Sequence, residues 1–162
     1  LSLFDLSGRV ALVSGAASGT GKAMSLALAE HGADLMLADL NTEGLEQTAE
    51  EIRSRGRRAV AVTCNVSHYG PIRELFQKLD AEYGRLDFLG NVAGEGLLAN
   101  PEEITLEQVE QVFQNLVFGR FCMCQEAGRR MLRAGRGSIV NIGSLASITA
   151  DRKSTRLNSS HT

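Results

Sequence analysis

The chain has little of what marks secreted, metal-binding or membrane-spanning proteins. Its three cysteines, Cys64, Cys122 and Cys124, show neither CxxC nor Cys/His spacing. We therefore expect no metal site and no disulfide framework, but reduced thiols in a cytoplasmic protein. The apolar runs are only as long as strands, and Asp5 and Arg9 stand early in the chain, so we expect neither a membrane span nor a secretory signal.

An excess of charge of one sign is also missing. The 17 Lys and Arg residues oppose 19 Asp and Glu residues, which gives a net charge of −2, and the two signs are scattered along the chain. A nucleic-acid-binding surface needs clustered basic side chains, so we expect no nucleic-acid partner. With 43% hydrophobic and 22% charged residues, the composition is that of an ordinary globular domain.

The most informative segment is the glycine turn, Ser14-Gly15-Ala16-Ala17-Ser18-Gly19-Thr20-Gly21, which lies between an apolar run and a helix-like segment. Its three glycines would let backbone N–H groups approach a pyrophosphate, and the helix that follows would offer the positive end of its dipole. We expect a side chain at any of these three positions to hold the ligand away. The alternative is an ordinary turn with no ligand.

A second apolar run ends in Asp39, about 20 residues past the glycines, where dinucleotide-binding folds place an acid on the adenosine ribose. Such a carboxylate would also repel a 2′-phosphate. No Lys or Arg occupies residues 14–21 or 39–42. The pattern predicts a dinucleotide site that takes NAD in preference to NADP, and the alternative for Asp39 is a helix-entry residue.

Strand-like and helix-like segments alternate along the chain, which predicts an α/β fold. We expect a Rossmann-type doubly wound parallel sheet with helices on both faces, truncated after the fifth strand. The predicted strands are 9–14, 34–39, 59–65, 86–92 and 138–143. The predicted helices are 20–31, two that carry the apolar stripes within 45–52 and 72–83, and a long one over 105–133.

The helix predicted over 105–133 is apolar nearly all round from Val112 to Cys124, so it must be covered on more than one side. Its own sheet and neighbouring helices could supply that cover. A partner subunit could supply it too, and we expect the parent protein to be a homo-oligomer that associates through this helix.

The last twelve residues differ from the rest of the chain. Residues 151–162 have no apolar period, and Leu157 is their one apolar residue. They resemble the in-frame translation of a sequencing adapter, although a functional basic arm is the alternative. We therefore predict an incomplete NAD-binding Rossmann domain over 1–150 and a non-native or disordered tail over 151–162.

Together these motifs resemble the short-chain dehydrogenase/reductase family, from residue 7 to about residue 149. The family pattern TGxxxGxG corresponds to the glycine turn, NNAG to Asn91-Val92-Ala93-Gly94, and the adenine-contacting Asp-Val pair to Asn65-Val66. The resemblance implies a cofactor site of Gly15, Ser18, Gly19, Thr20, Gly21, Asp39, Leu40, Asn65, Val66, Asn91, Ala93 and Gly94. It also implies that the turn at Asn91 steadies the sheet.

The same resemblance implies a catalytic role for Ser144, as the serine after the fifth strand, and for Asn115, as the helix residue that holds a water in a proton relay. Their alternatives are a strand-end turn and an ordinary polar helix residue. The implied reaction transfers a hydride between the nicotinamide C4 and the carbon of a carbonyl or alcohol, while Ser144 hydrogen-bonds the substrate oxygen.

The family's Tyr-x-x-x-Lys motif is missing, since Tyr83 is the last tyrosine of the chain. We therefore predict that this chain is catalytically inactive, as a fragment of an NAD(P)-dependent oxidoreductase. The alternative is a non-catalytic dinucleotide-binding module. Gly96, Leu97 and Leu98 are expected to border the pocket for a small carbonyl or alcohol substrate, and they permit either a hydrophobic or a ketoacyl-type compound.

Overall fold

Five parallel strands form one sheet in the order β3-β2-β1-β4-β5. The structure is a computed structural model that describes residues 4–97, 99–100 and 102–144. The strands are β1 (Val10–Ser14), β2 (Asp34–Asp39), β3 (Ala59–Thr63), β4 (Phe88–Asn91) and β5 (Ser138–Asn141). The helices are α1 (Gly19–Glu30), α2 (Thr42–Ser54), α3 (Tyr69–Tyr83), α4 (Leu106–Phe113) and α5 (Arg120–Ala134), with a π-helical turn, Gln114–Gly119, between the last two.

Helices cover both faces of the sheet, as the sequence predicts for a doubly wound fold. Every residue of the central strand β1 is buried, which is typical of a parallel strand with cover on both sides. Its residues alternate between the two cores, since Val13 packs with residues of α1 and α2 while Leu12 packs with residues of α3 and α5. Burial of a side chain such as Leu12 contributes about 2 kcal/mol.

Three of the predicted strands end earlier than expected. The strands predicted over 59–65, 86–92 and 138–143 end at Thr63, Asn91 and Asn141. After Thr63 the chain leaves the sheet, but Cys64 and Val66 are still buried. An apolar run marks burial, and burial here continues past the last residue that pairs with a neighbouring strand.

The helix predicted over 105–133 consists of α4, the π-helical turn and α5. A capping box fixes its start, because the Thr105 hydroxyl accepts from the Gln108 N–H and the Gln108 side chain accepts from the Thr105 N–H. Its own sheet does not cover it on all sides: Phe113, Phe118 and Phe121 are 51%, 54% and 63% exposed. Among the described elements, α5 packs against α3 as well as against β4 and β5, yet these three phenylalanines stay at least half exposed.

The sheet that the structure describes ends at β5, which is largely exposed. The predicted tail over 151–162 and Leu98 lie outside the described residues. Among the helices that are described, none combines the length and the apolar character needed to cross a membrane.

Candidate functional site

A cleft of about 470 Å³ opens at the carboxyl edge of the sheet. It lies where the strand order reverses between β1 and β4, the position at which open α/β sheets bind ligands. Its walls come from the glycine turn, the end of β2, the loops after β3 and β4, and the π-helical turn. Every predicted cofactor-binding residue except Asn91 lines it: Gly15, Ser18, Gly19, Thr20, Gly21, Asp39, Leu40, Asn65, Val66, Ala93 and Gly94.

The glycine turn uses its first backbone N–H groups to hold itself in place. The N–H groups of Gly15 and Ala16 both donate to the Ala38 carbonyl, at 2.8 and 3.3 Å. The Ala17 N–H donates to Oδ2 of Asp39 at 3.0 Å. The turn is therefore tied to the end of β2 before α1 begins.

The N–H groups at the start of α1 are the ones left for a ligand. The first turn of a helix has no intrahelical acceptor for its N–H groups, and the N-cap residue Ser18 makes no side-chain capping bond. Gly19, Thr20 and Gly21 all line the cleft. These three residues therefore offer backbone donors and a positive helix end to an anion such as a pyrophosphate.

The three glycines of the turn have different surroundings. A Cβ atom at Gly21 would lie 2.0 Å from the Gly15 carbonyl oxygen, and one at Gly15 would lie 2.9 Å from the Ala93 nitrogen. These two glycines let segments of the protein itself pack closely. Only at Gly19 would the added atom meet open space within the cleft.

Asp39 lies half-buried at the tip of β2, and both of its carboxylate oxygens accept backbone hydrogen bonds. Oδ2 accepts from the Ala17 N–H and Oδ1 from the Asn41 N–H, each at 3.0 Å. The helix-entry alternative does not fit, because the N-cap of α2 is Asn41, whose side chain accepts from the Gly44 N–H. Each carboxylate oxygen can accept a further hydrogen bond, so a ribose hydroxyl is compatible with this arrangement.

Asn65 and Val66 form the part of the wall that follows β3. Oδ1 of Asn65 accepts from the Ser67 N–H at 2.9 Å, which shapes a local turn. Cys64 also lines the cleft, and burial, with a smaller effect of Glu74, raises the pKa of its thiol to about 11. That thiol is therefore protonated at neutral pH and a poor nucleophile.

Asn91 lies beneath the cleft and does not line it. Its side chain is 1% exposed and donates to Oδ1 of Asn141 at 3.0 Å and to the Arg120 carbonyl at 3.3 Å. It thereby connects β4 to β5 and to α5. The structure corrects the expected direct contact with a cofactor, since the neighbouring Val92 takes the place in the wall.

The two predicted catalytic residues lie in different places. Asn115, in the π-helical turn, lines the cleft and donates to the Glu95 carbonyl at 3.3 Å. Ser144 is exposed, three residues beyond the end of β5, and is not part of the cleft wall. A side cavity of about 180 Å³ shares Glu95 and Asn115 with the cleft and includes Gly96 and Leu97.

Sequence reasoning missed two residues that shape the site. The buried Ser14 hydroxyl accepts from the N–H groups of Val92 and Ala93, at 3.1 and 3.2 Å, and so holds the loop after β4 against β1. Ser14 was visible as the counterpart of the first Thr of the family pattern, but that position alone does not reveal its partners.

Arg120 is the second missed residue. Its guanidinium donates to the Ile142 carbonyl and, at 3.4 Å, to the Ala93 carbonyl. It therefore connects the loop after β4 with the loop that leads to Ser144. One signal was available, because Arg120 is the single charged residue between Val112 and Cys124.

Comparisons with known proteins agree with this geometry. The family model described as short chain dehydrogenase matches residues 9–155. D-threitol dehydrogenase of Mycolicibacterium smegmatis is 40% identical over 147 residues, which cover 91% of this chain and 56% of that protein. The NAD-dependent glycerol dehydrogenase of Listeria innocua is 34% identical over 147 residues, which cover 91% of this chain and 57% of that protein.

Solved structures show the same relationship. A short-chain type dehydrogenase/reductase from Mycobacterium marinum superposes with a TM-score of 0.88 at 31% identity, over 93% of this chain and 61% of that one. An NAD⁺-bound xylitol dehydrogenase superposes with a TM-score of 0.86 at 31% identity, over 90% of this chain and 56% of that one. The chain thus spans little more than half the length of the relatives it matches. Since the family model covers most of its residues, the chain belongs to the short-chain dehydrogenase family.

Proposed function

We propose that the protein is the nucleotide-binding portion of an NAD-dependent oxidoreductase that transfers a hydride between the cofactor and the alcohol or carbonyl group of a small molecule. One observation carries this proposal: the unpaired N–H groups at the start of α1 and the Asp39 carboxylate line the same cleft. The first suits a pyrophosphate and the second a ribose diol. The similarity to threitol, glycerol and xylitol dehydrogenases supports small polyols as compounds to test.

The charges of the cleft favour NAD over NADP. Its charged lining residues are Asp39 and Glu95, and no Lys or Arg lines the part that the structure describes. A 2′-phosphate placed near Asp39 would meet a like charge with no basic partner. We expect NAD to bind more tightly than NADP, and equal affinities would contradict the role given to Asp39.

Each group of residues would have one role in cofactor binding or in the reaction. The first-turn N–H groups of α1 hold the pyrophosphate, Asp39 holds the ribose, and Asn65 with Val66 borders the adenine. When bound, the nicotinamide supplies the carbon that gives or takes the hydride. Asn115 would hold a water of the proton relay, and Ser144 would hydrogen-bond the substrate oxygen.

NADH binding, followed by its fluorescence, tests the proposal with a matched pair of variants. Gly19 and Gly56 both have positive φ, +52° and +74°, and an added Cβ meets nothing within 4 Å at either. Gly19→Ala and Gly56→Ala should therefore each lower the free energy of unfolding by about 1–2 kcal/mol. Only Gly19→Ala should also weaken NADH binding, because only Gly19 lines the cleft. Absence of saturable NADH binding by the unaltered chain would overturn the proposal.

We further propose that this chain binds NAD without transferring a hydride. It contains no tyrosine after Tyr83 to deliver the proton. Incubation with NAD and D-threitol, glycerol or xylitol should yield no NADH. Reading the gene beyond codon 150 separates the two candidate functions: a Tyr-x-x-x-Lys segment there supports an enzyme, whereas a stop directly after residue 162 supports a dinucleotide-binding module.

The exposed side of the long helix formed by α4, the π-helical turn and α5 supports a second copy of the chain as a partner. Phe113, Phe118 and Phe121 are all at least half exposed along it. Exposed aromatic groups of this kind mark interaction surfaces. Phe121→Glu should lower the sedimenting mass to that of a monomer, while Gln77→Glu, which adds the same charge on the exposed side of α3, should leave the mass unchanged. A monomeric unaltered chain would contradict this partner.

We also propose a cytoplasmic location. The three cysteines are free thiols in the structure. Reduced thiols are typical of that compartment. Cell fractionation with an antibody to the chain tests this location, and recovery in a secreted fraction would contradict it.

A further inference from the structure

We propose that Asp39 is a positioning residue whose carboxylate holds the glycine turn in its ligand-binding shape, in addition to its contact with ribose. This inference rests on the proposed function, because it concerns the same cleft. Its prediction is different: substitution of Asp39 should also weaken the binding of ligands that contain no ribose.

The geometry places one carboxylate between two segments. Oδ2 accepts from the Ala17 N–H of the glycine turn, and Oδ1 accepts from the Asn41 N–H at the start of α2, each at 3.0 Å. Ala17 is 22 residues before Asp39 in the chain. The side chain thus joins the turn, the tip of β2 and the N-cap of α2.

The packing around Ala17 shows why this hydrogen bond matters. Ala17 is buried, and a Cβ atom added at Gly44 would lie 3.2 Å from the Ala17 carbonyl oxygen and 3.3 Å from its Cβ. The first turn of α2 therefore lies directly against Ala17. Asn41 caps that same turn by accepting from the Gly44 N–H at 3.1 Å.

Among the N–H groups that hold the turn, the one on Ala17 depends on a side chain. Gly15 and Ala16 donate to the Ala38 carbonyl, a backbone group that no substitution at position 38 removes. Ala17 donates to Asp39, and it is the last of the three before the unpaired N–H groups of Gly19 to Gly21. Loss of the carboxylate frees the turn next to the phosphate site.

A substitution at Asp39 should therefore weaken the binding of both NAD and NADP. If the residue only contacted the ribose, its removal would weaken NAD binding and relieve the repulsion of a 2′-phosphate. If it also positions the turn, the phosphate site itself loses its shape, and NADP binding does not improve. The same reasoning predicts that Asp39→Asn restores binding only in part, since one amide oxygen cannot replace two carboxylate oxygens.

Inorganic pyrophosphate is the probe that separates these two roles, because it contains no ribose. We expect Asp39→Ala to weaken pyrophosphate binding about tenfold, the factor that corresponds to the loss of one charge-assisted hydrogen bond. The amide NMR signals of Gly19, Thr20 and Gly21 report the titration. The matched control is Asp34→Ala, which removes an acid from the other end of the same strand, where it accepts from Arg57 and Arg58.

Hydrogen exchange at the Ala17 N–H gives a second measurement that needs no ligand. It should be faster in Asp39→Ala and unchanged in Asp34→Ala. The inference is overturned if Asp39→Ala leaves both pyrophosphate affinity and Ala17 exchange at their original values while NAD binding falls. Failure of the unaltered chain to bind NAD would contradict the proposed function instead. Hydrogen exchange at the Ala17 N–H would still decide whether Asp39 holds the turn.

Discussion

The carbonyl oxygen of Gly15 occupies the space that any side chain at residue 21 would need, because a Cβ atom on Gly21 would lie 2.0 Å from it. This contact brings the first turn of α1 against the glycine turn without any intervening side chain. It therefore sets where the unpaired N–H groups of α1 lie relative to β1.

Gly21→Ala should destabilise the protein by about 2 kcal/mol or more, because the backbone must move to accept the methyl group. The control is Gly128→Ala in α5, where an added Cβ meets nothing within 4 Å. That change should stabilise the protein by roughly 0.5–1 kcal/mol through helix propensity. Urea unfolding measures both, and equal effects of the two variants would contradict the close contact.

Ser14→Ala should lower the free energy of unfolding by about 1–3 kcal/mol, because it leaves the half-buried N–H groups of Val92 and Ala93 without their acceptor. Ser7→Ala, at an exposed position, is the control and should change stability by less than about 0.5 kcal/mol. Thermal unfolding provides the comparison. A Ser14→Ala variant as stable as the control would mean that the hydroxyl does not hold the loop after β4.

Arg120→Met should lower stability by about 2 kcal/mol, since the carbonyls of Ala93 and Ile142 lose a shared charged donor. Arg120→Lys should recover only part of this loss, because an ammonium group lacks the fork that reaches two carbonyls. Chemical unfolding of the three proteins measures the effect. Full recovery by lysine would show that charge alone, and not the geometry of the guanidinium, connects the two loops.

Ionisation of the Tyr83 phenol should lower the stability of the protein at high pH. Burial is the main cause that raises the pKa of Tyr83 to about 12, and its hydroxyl donates to the Leu35 carbonyl at 2.7 Å. Because the pKa in the folded protein lies above the unfolded value of about 10, the neutral phenol stabilises the fold below about pH 10. That contribution is lost as the pH rises toward about 12.

Tyr83→Phe should cost about 1 kcal/mol at neutral pH, through the lost hydrogen bond. It should also make the fall in stability between about pH 10 and about pH 12 less steep. Urea unfolding across this pH range checks both effects. An unaltered pH dependence in Tyr83→Phe would show that other groups cause the decline.

The sequence predicts the architecture well, because the alternation of apolar strands and amphipathic helices is local information. The strand predicted over 34–39 coincides with β2. Strand ends are less accurate, since apolar residues such as Cys64 and Val66 stay buried after β3 has ended. The long helix differs from the strands: its apolar surface predicts cover by the chain itself or by a partner subunit, and the described chain leaves Phe118 and Phe121 exposed.

The cleft is also largely predictable, since its residues stand at fixed positions after the strands. Their individual roles are not, because each depends on a partner far away in the chain. Residue 15 must be glycine because a side chain there would clash with Ala93. Asn91 is expected to contact a cofactor, but its side chain faces Asn141 and α5. Ser14 and Arg120 act through backbone carbonyls and N–H groups, which leave no trace in the residue types of their partners.

The position of β1 at the centre of the sheet also affects how the protein folds. Its register with β2 joins Ser14 to Ala38, a nearby residue, whereas its register with β4 joins Ser14 to Asn91. During synthesis, one edge of β1 therefore stays without a neighbour until β4 has left the ribosome, and such unpaired apolar edges favour aggregation. Ribosome-bound chains that end before β4 should accordingly depend on chaperones more than chains that include it.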